Sequence, residues 1–125
     1  MKRNSALLPF EVMVAFLEES GLPLLGLGTY MMRSGRDTED AVLWALDAGY
    51  QLIDTATLYE NEHSVGMAWK KSGVPREEIF ITTKLRNSDH GYKRALAAFC
   101  ESLGRLGLER SRPEGPGLTI DDYSL

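Results

Sequence analysis

The chain has 125 residues, 43% of them hydrophobic and 26% charged, with a net charge of −4. That size suits one domain, and that apolar share excludes wholesale disorder. The acidic balance provides no basic face for nucleic acid or an anionic membrane, and the lone cysteine, Cys100, excludes an internal disulfide framework and points to a reducing, cytoplasmic setting.

Lys2 and Arg3 precede an apolar stretch over residues 6–17, which has the look of a signal sequence. Pro9 and Glu11 interrupt it, however, and no small-residue cleavage site follows. Nothing approaches the ~20 apolar residues of a membrane span. Residues 1–9 read as a flexible N-terminus. Residues 11–17 and 22–27 read as the two arms of a hairpin around a turn at 18–21, feeding a short strand that ends at Gly28 and Thr29.

The period then changes. Asp37 or Thr38 is expected to cap a helix whose face carries Ala41, Val42, Ala45, Leu46 and Ala48, with Gly49 ending it. Residues 50–54 form a strand ending on Asp54. Residues 60–72 return to helical spacing through Val65, Ala68 and Trp69, and Gly73 stops them. Residues 79–84 form a third strand, rich in β-branched and aromatic residues and ending on Lys84. After a polar turn at 87–91, Ala95, Leu96, Phe99, Leu103 and Leu106 mark the longest helix, closed by Gly107. This alternation implies a parallel sheet with crossover helices. Residues 110–125 carry charge, Pro and Gly, with Asp121 and Asp122 in an otherwise apolar end, and read as a disordered tail.

Three ionisable residues stand out. Asp54 and Lys84 end successive strands, and Tyr59 follows Asp54 in the next loop. In a parallel α/β barrel the C-terminal strand ends open on one face, where catalytic groups collect. A free tyrosine, with a pKa near ~10, is a poor proton donor at neutral pH. A neighbouring ammonium favours its ionised form, and a carboxylate holds that ammonium in place. Together they suit protonation of an oxygen that gains charge as hydride attacks a carbonyl, with the hydride coming from a cofactor. No metal ligation is assigned to any residue.

Gly49-Tyr50-Gln51-Leu52-Ile53-Asp54-Thr55-Ala56, with Tyr59, Asn61, Glu62, Val65 and Gly66, closely resembles the first signature of the aldo-keto reductases. Leu24-Leu25-Gly26-Leu27-Gly28-Thr29 resembles that family's opening strand. Thr82-Thr83-Lys84-Leu85 with Asn87-Ser88 resembles its lysine strand, and residues 103–108 the end of its third barrel helix. The resemblance implies an NADPH-dependent reductase of aldehydes and ketones on a (β/α)8 barrel. This chain would supply the N-terminal hairpin and about three βα units, over residues 10–109. By position, Tyr59 would be the general acid, Lys84 would lower its pKa and Asp54 would pair with Lys84. Gly28, Thr29 and Asp54 would lie against the cofactor.

Some positions depart from the family's pattern. Gln51 replaces the usual arginine before the catalytic aspartate, a change expected to touch packing rather than chemistry. Arg86 stands where many relatives carry a pocket aromatic, which leaves the substrate open. The family's catalytic histidine, on a fourth barrel strand, has no counterpart. His63 reads as a helix-surface residue and His90 as a solvated loop residue. Trp44 and Trp69 read as packing residues, Cys100 as a structural thiol, and Met31 and Met32 as either pocket lining or incidental exposure.

A barrel of this kind needs ~250 residues, so an incomplete barrel and exposed sheet edges are expected. Such a chain should be marginally stable or self-associating. A monomer by sedimentation with a sharp cooperative unfolding transition would contradict that. The alternative to a working reductase is a catalytically silent fragment or a piece that associates with another chain. Lyase or isomerase chemistry through Lys84 is weaker, since it leaves Tyr59 idle.

Overall fold

Three short apolar segments pair side by side in the computed structural model, which describes residues 21–108. Strand β1 (Leu27–Gly28) lies beside β2 (Leu52–Asp54), and β2 beside β3 (Phe80–Thr82), all parallel. The register sets Gly28 opposite Asp54 and Asp54 opposite Thr82, so the three strands finish level with one another. Helix α1 (Arg36–Asp47) links β1 to β2, α2 (Glu62–Ser72) links β2 to β3, and α3 (Tyr92–Leu106) follows β3. The anticipated 11–17 arm of the hairpin and the 110–125 tail fall outside the described residues.

Alternation along β2 separates core from site. Ile53 is fully buried and joins Val42, Leu46, Val65, Ala68 and Leu106 in one helix-backed core, while Leu52 and Asp54 are half-exposed. Helices α2 and α3 meet closely at Gly66, where an added Cβ would collide with the backbone of Leu106. Only glycine fits that contact.

Several boundaries differ from those expected. Helix α1 starts at Arg36, with Gly35 rather than Asp37 or Thr38 as its N-cap. The turn needs φ +93° at Gly35, whose N–H donates to Ser64 Oγ at 2.7 Å, and the Thr38 hydroxyl instead donates back to Arg33 O at 2.7 Å. Helix α2 starts at Glu62 rather than residue 60, because residues 57–59 form a 3-10 turn and Glu60 takes φ +56°. The strands are only two or three residues long, so Lys84 lies two residues beyond β3 rather than at its end. Backbone pairing still carries on past the strands, through Thr55 N to Thr82 O at 2.8 Å and Thr57 N to Lys84 O at 3.3 Å.

Three packing expectations fail, at Trp44, Ala48 and Cys100. Trp44 is 72% exposed, pointing away from the core that α1 shares with α2, and Ala48 is exposed because the helix has ended by then. Trp69 does pack, half-buried, with its indole N–H donating to Val74 O at 2.9 Å. Cys100 is exposed and takes no part in the core. Gln51 is exposed, and its backbone carbonyl accepts from Phe80 N at 2.7 Å.

Candidate active site

The level strand ends bring Asp54, Tyr59 and Lys84 together despite up to 30 positions of separation. Asp54 closes β2. The 3-10 turn Thr57–Tyr59 then brings Tyr59 beside Lys84 and Tyr30. Lys84 Nζ lies 2.7 Å from Asp54 Oδ2, 3.0 Å from Thr55 O and 3.4 Å from Tyr59 OH. An ammonium has three N–H groups, and all three are used. Nζ also sits 5.1 Å from the Tyr59 ring centroid, and Tyr30 packs on the ring at 5.2 Å, tilted by 54°.

Asp54 is fixed from its other side. Its Oδ1 accepts from Thr82 Oγ1 at 2.5 Å, and its backbone O accepts from Thr29 N at 2.9 Å. Burial pulls the Lys84 ammonium towards neutrality, but the hydrogen bonds and charge of Asp54 and Tyr59 outweigh it and hold Lys84 above its ordinary 10.5. Its folded value thus exceeds the unfolded one. Stability from this cation is present in full below pH 10.5 and is lost as pH rises through the folded value. In urea titrations the gap between parent and Lys84→Met midpoints should stay constant through neutral pH and shrink above that point. A gap that shrinks on acidification from pH 8 to 6 would contradict this.

Below the trio lies a buried hub that sequence reasoning quoted only as part of a signature. Asn61 is 0% exposed. Its Oδ1 accepts from Thr55 Oγ1 at 2.8 Å and Thr29 Oγ1 at 3.3 Å, and its Nδ2 donates to Thr29 O at 2.9 Å and Met32 O at 3.1 Å. Asn61 therefore ties the loop after β1 to the loop after β2. A signal existed in the spacing, since Asn61 stands four and seven residues before the core residues Val65 and Ala68 and shares their face.

Other expected residues are dispersed. Gly28 is exposed, and a side chain there would project into open space. Thr29 is fully buried, with hydroxyl, N–H and carbonyl all engaged inside the protein. Arg86 donates to Thr57 O at 3.2 Å and lies 3.5 Å from Glu60. Met31 is 83% exposed and Met32 half-buried. His63 and His90 are exposed, and neither hydrogen-bonds to the trio.

The family model of the aldo/keto reductases matches residues 24–111, most of the chain. The chain belongs to the aldo/keto reductase family. A 9,11-endoperoxide prostaglandin H2 reductase of Trypanosoma cruzi is 53% identical over 88 residues, covering 70% of this chain and 31% of that protein. The glyoxal reductase of Bacillus subtilis is 48% identical over 88 residues. Among solved structures, an aldo/keto reductase from Brucella melitensis matches with TM-score 0.65 at 50% identity, over 69% of this chain and 33% of that one. The Bombyx mori aldo-keto reductase in complex with NADP matches with TM-score 0.63 at 40% identity, over 69% of this chain and 31% of that one. The aldo/keto reductase chain described here thus spans about a third of its relatives' length, and its three parallel strands and their helices form part of a (β/α)8 barrel. No described helix is long and apolar enough to cross a membrane.

Proposed function

We propose that Asp54, Tyr59 and Lys84 form the proton-donating part of an NADPH-dependent reductase of aldehydes and ketones. One observation carries this reading: Lys84 donates to the Tyr59 oxygen while anchored on Asp54 and Thr55. The phenol oxygen then acts as acceptor towards Lys84, and among the described residues its own O–H has no acceptor. That proton is available to a substrate oxygen. The cation beside it favours the charge left on Tyr59 once the proton departs.

The nicotinamide, when bound, supplies the hydride. Two of the three residues assigned to it fit. Gly28 offers bare, exposed backbone on the face where Asp54 ends its strand, and the Asp54 side chain is 39% exposed. Thr29 does not fit as a contact, because every polar group it has is already bonded. NADP in the Bombyx mori relative supports the phosphorylated cofactor, and the carbonyl substrates follow from the family. We place it in a reducing, cytoplasmic setting, a reading that the single cysteine of this sequence supports.

The test is titration of the 125-residue chain with NADPH, followed by cofactor fluorescence. Saturable binding is expected. No binding at millimolar NADPH would overturn the reading and favour a catalytically silent or chain-associating role.

A further inference from the structure

Glu62 is a carboxylate only 1% exposed, and the proposed reaction makes no use of it. Its two oxygens serve different elements. Oε1 accepts from Thr83 Oγ1 at 2.5 Å, and Oε2 accepts from Arg105 Nε at 2.6 Å in the last turn of α3. Thr83 immediately precedes Lys84. Arg105 also donates to Ser102 Oγ at 3.2 Å, Ser102 Oγ pairs with Thr57 Oγ1 at 3.2 Å, and Thr57 N–H donates to Lys84 O at 3.3 Å. The contacts form a closed ring that leaves Lys84 through Thr83 and returns to it through Thr57.

We infer that Glu62 is a positioning residue for Lys84, holding the chain at Thr83 so that the ammonium meets Asp54 and Tyr59 together. The inference rests on the reading of Lys84 as the partner of the proton donor. The lysine side chain is 50% exposed and its four-carbon stem is flexible, so its aim depends on where its backbone is anchored. A buried carboxylate is costly unless fully bonded, and a charge-assisted bond to it is among the strongest a hydroxyl can make. Glu62 therefore leaves Thr83 little freedom, and Arg105, 37% exposed, supplies the compensating charge. On the face of α2 that meets α3, Glu62 stands one turn before Gly66, whose missing Cβ lets the two helices close enough for Arg105 to reach it.

Glu62 could serve merely as a clamp between α2 and α3, and Thr83→Val separates the two roles. That variant removes the hydroxyl link, suits a strand end, and leaves the Glu62–Arg105 ion pair intact. The readout is proton exchange of the Lys84 ammonium in a 15N-lysine-labelled chain, with Lys84→Arg assigning the signal and circular dichroism reporting the fold. The parent should give a slowly exchanging Lys84 signal. Thr83→Val, and Glu62→Gln where it folds, should exchange at least several-fold faster with circular dichroism unchanged. Unchanged exchange in folded Thr83→Val would overturn the inference, as would a parent chain with no protected Lys84 signal. No cofactor or substrate is present in this experiment, so failure to bind NADPH would count against the proposed reaction alone.

Discussion

On the reading proposed for the trio, Tyr59→Phe is expected to lower carbonyl reduction by on the order of 10²–10⁴-fold, the usual contribution of a positioned general acid. The same variant should leave stability within about 0.5 kcal/mol and the NADPH titration unchanged. The phenyl ring keeps its contact with Tyr30 and its place beside the Lys84 ammonium. Lys84 keeps its two shorter hydrogen bonds, to Asp54 and Thr55, and loses only the long one at 3.4 Å. Chemistry and folding therefore separate cleanly at this position. The measurement is NADPH oxidation with an aldehyde, alongside the urea midpoint. A Tyr59→Phe chain that reduces the aldehyde at the parent rate would show that another group delivers the proton.

The largest stability effect is expected at Asn61. Asn61→Leu keeps the branched shape, with bulkier methyl groups in place of the amide atoms, and removes every side-chain hydrogen bond of the hub. Thr29 retains other partners, since its hydroxyl still donates to Asp54 O and its carbonyl still accepts from Met32 N. Thr55 Oγ1, fully buried, loses its bond to Asn61, and the Met32 carbonyl loses its donor. A buried group left unmade costs about 1–3 kcal/mol, which applies in full to Thr55 Oγ1, and the half-buried Met32 carbonyl adds less. Against a typical total of about 5–15 kcal/mol, that is a large fraction. Urea denaturation should show a strongly lowered midpoint or a chain already unfolded in buffer. A midpoint equal to the parent's would mean that water or a shifted backbone takes over these bonds.

These two positions show how differently sequence and structure report on the site. Tyr59 stood out in the sequence because it follows Asp54 in the next loop, and Asp54 and Lys84 end expected strands on one face. Asn61 and Glu62 stood in the family signature but their burial was not read, because a polar residue at a helix start is ordinarily a solvated cap. Burial decides otherwise here. Asn61 turns inward to bond Thr29, and Glu62 to bond Thr83 and Arg105, all of them partners more than 20 residues away in the chain. Trp44 erred in the opposite direction: its aromatic character suggested packing, yet its side of α1 faces outward.

The order of strands and helices and the glycines that end the helices are local or periodic properties, and the sequence alone determined them. Side-chain spacing dictates which face of a helix is apolar, and residue chemistry dictates which groups can move a proton. Tertiary structure alone decided the rest. It fixed how far each strand extends, that Lys84 reaches Asp54 from beyond the strand rather than at its end, and that Thr29 lies fully buried. Those outcomes depend on register between strands and on which polar groups lose water when helices pack. Neither quantity exists until distant segments meet.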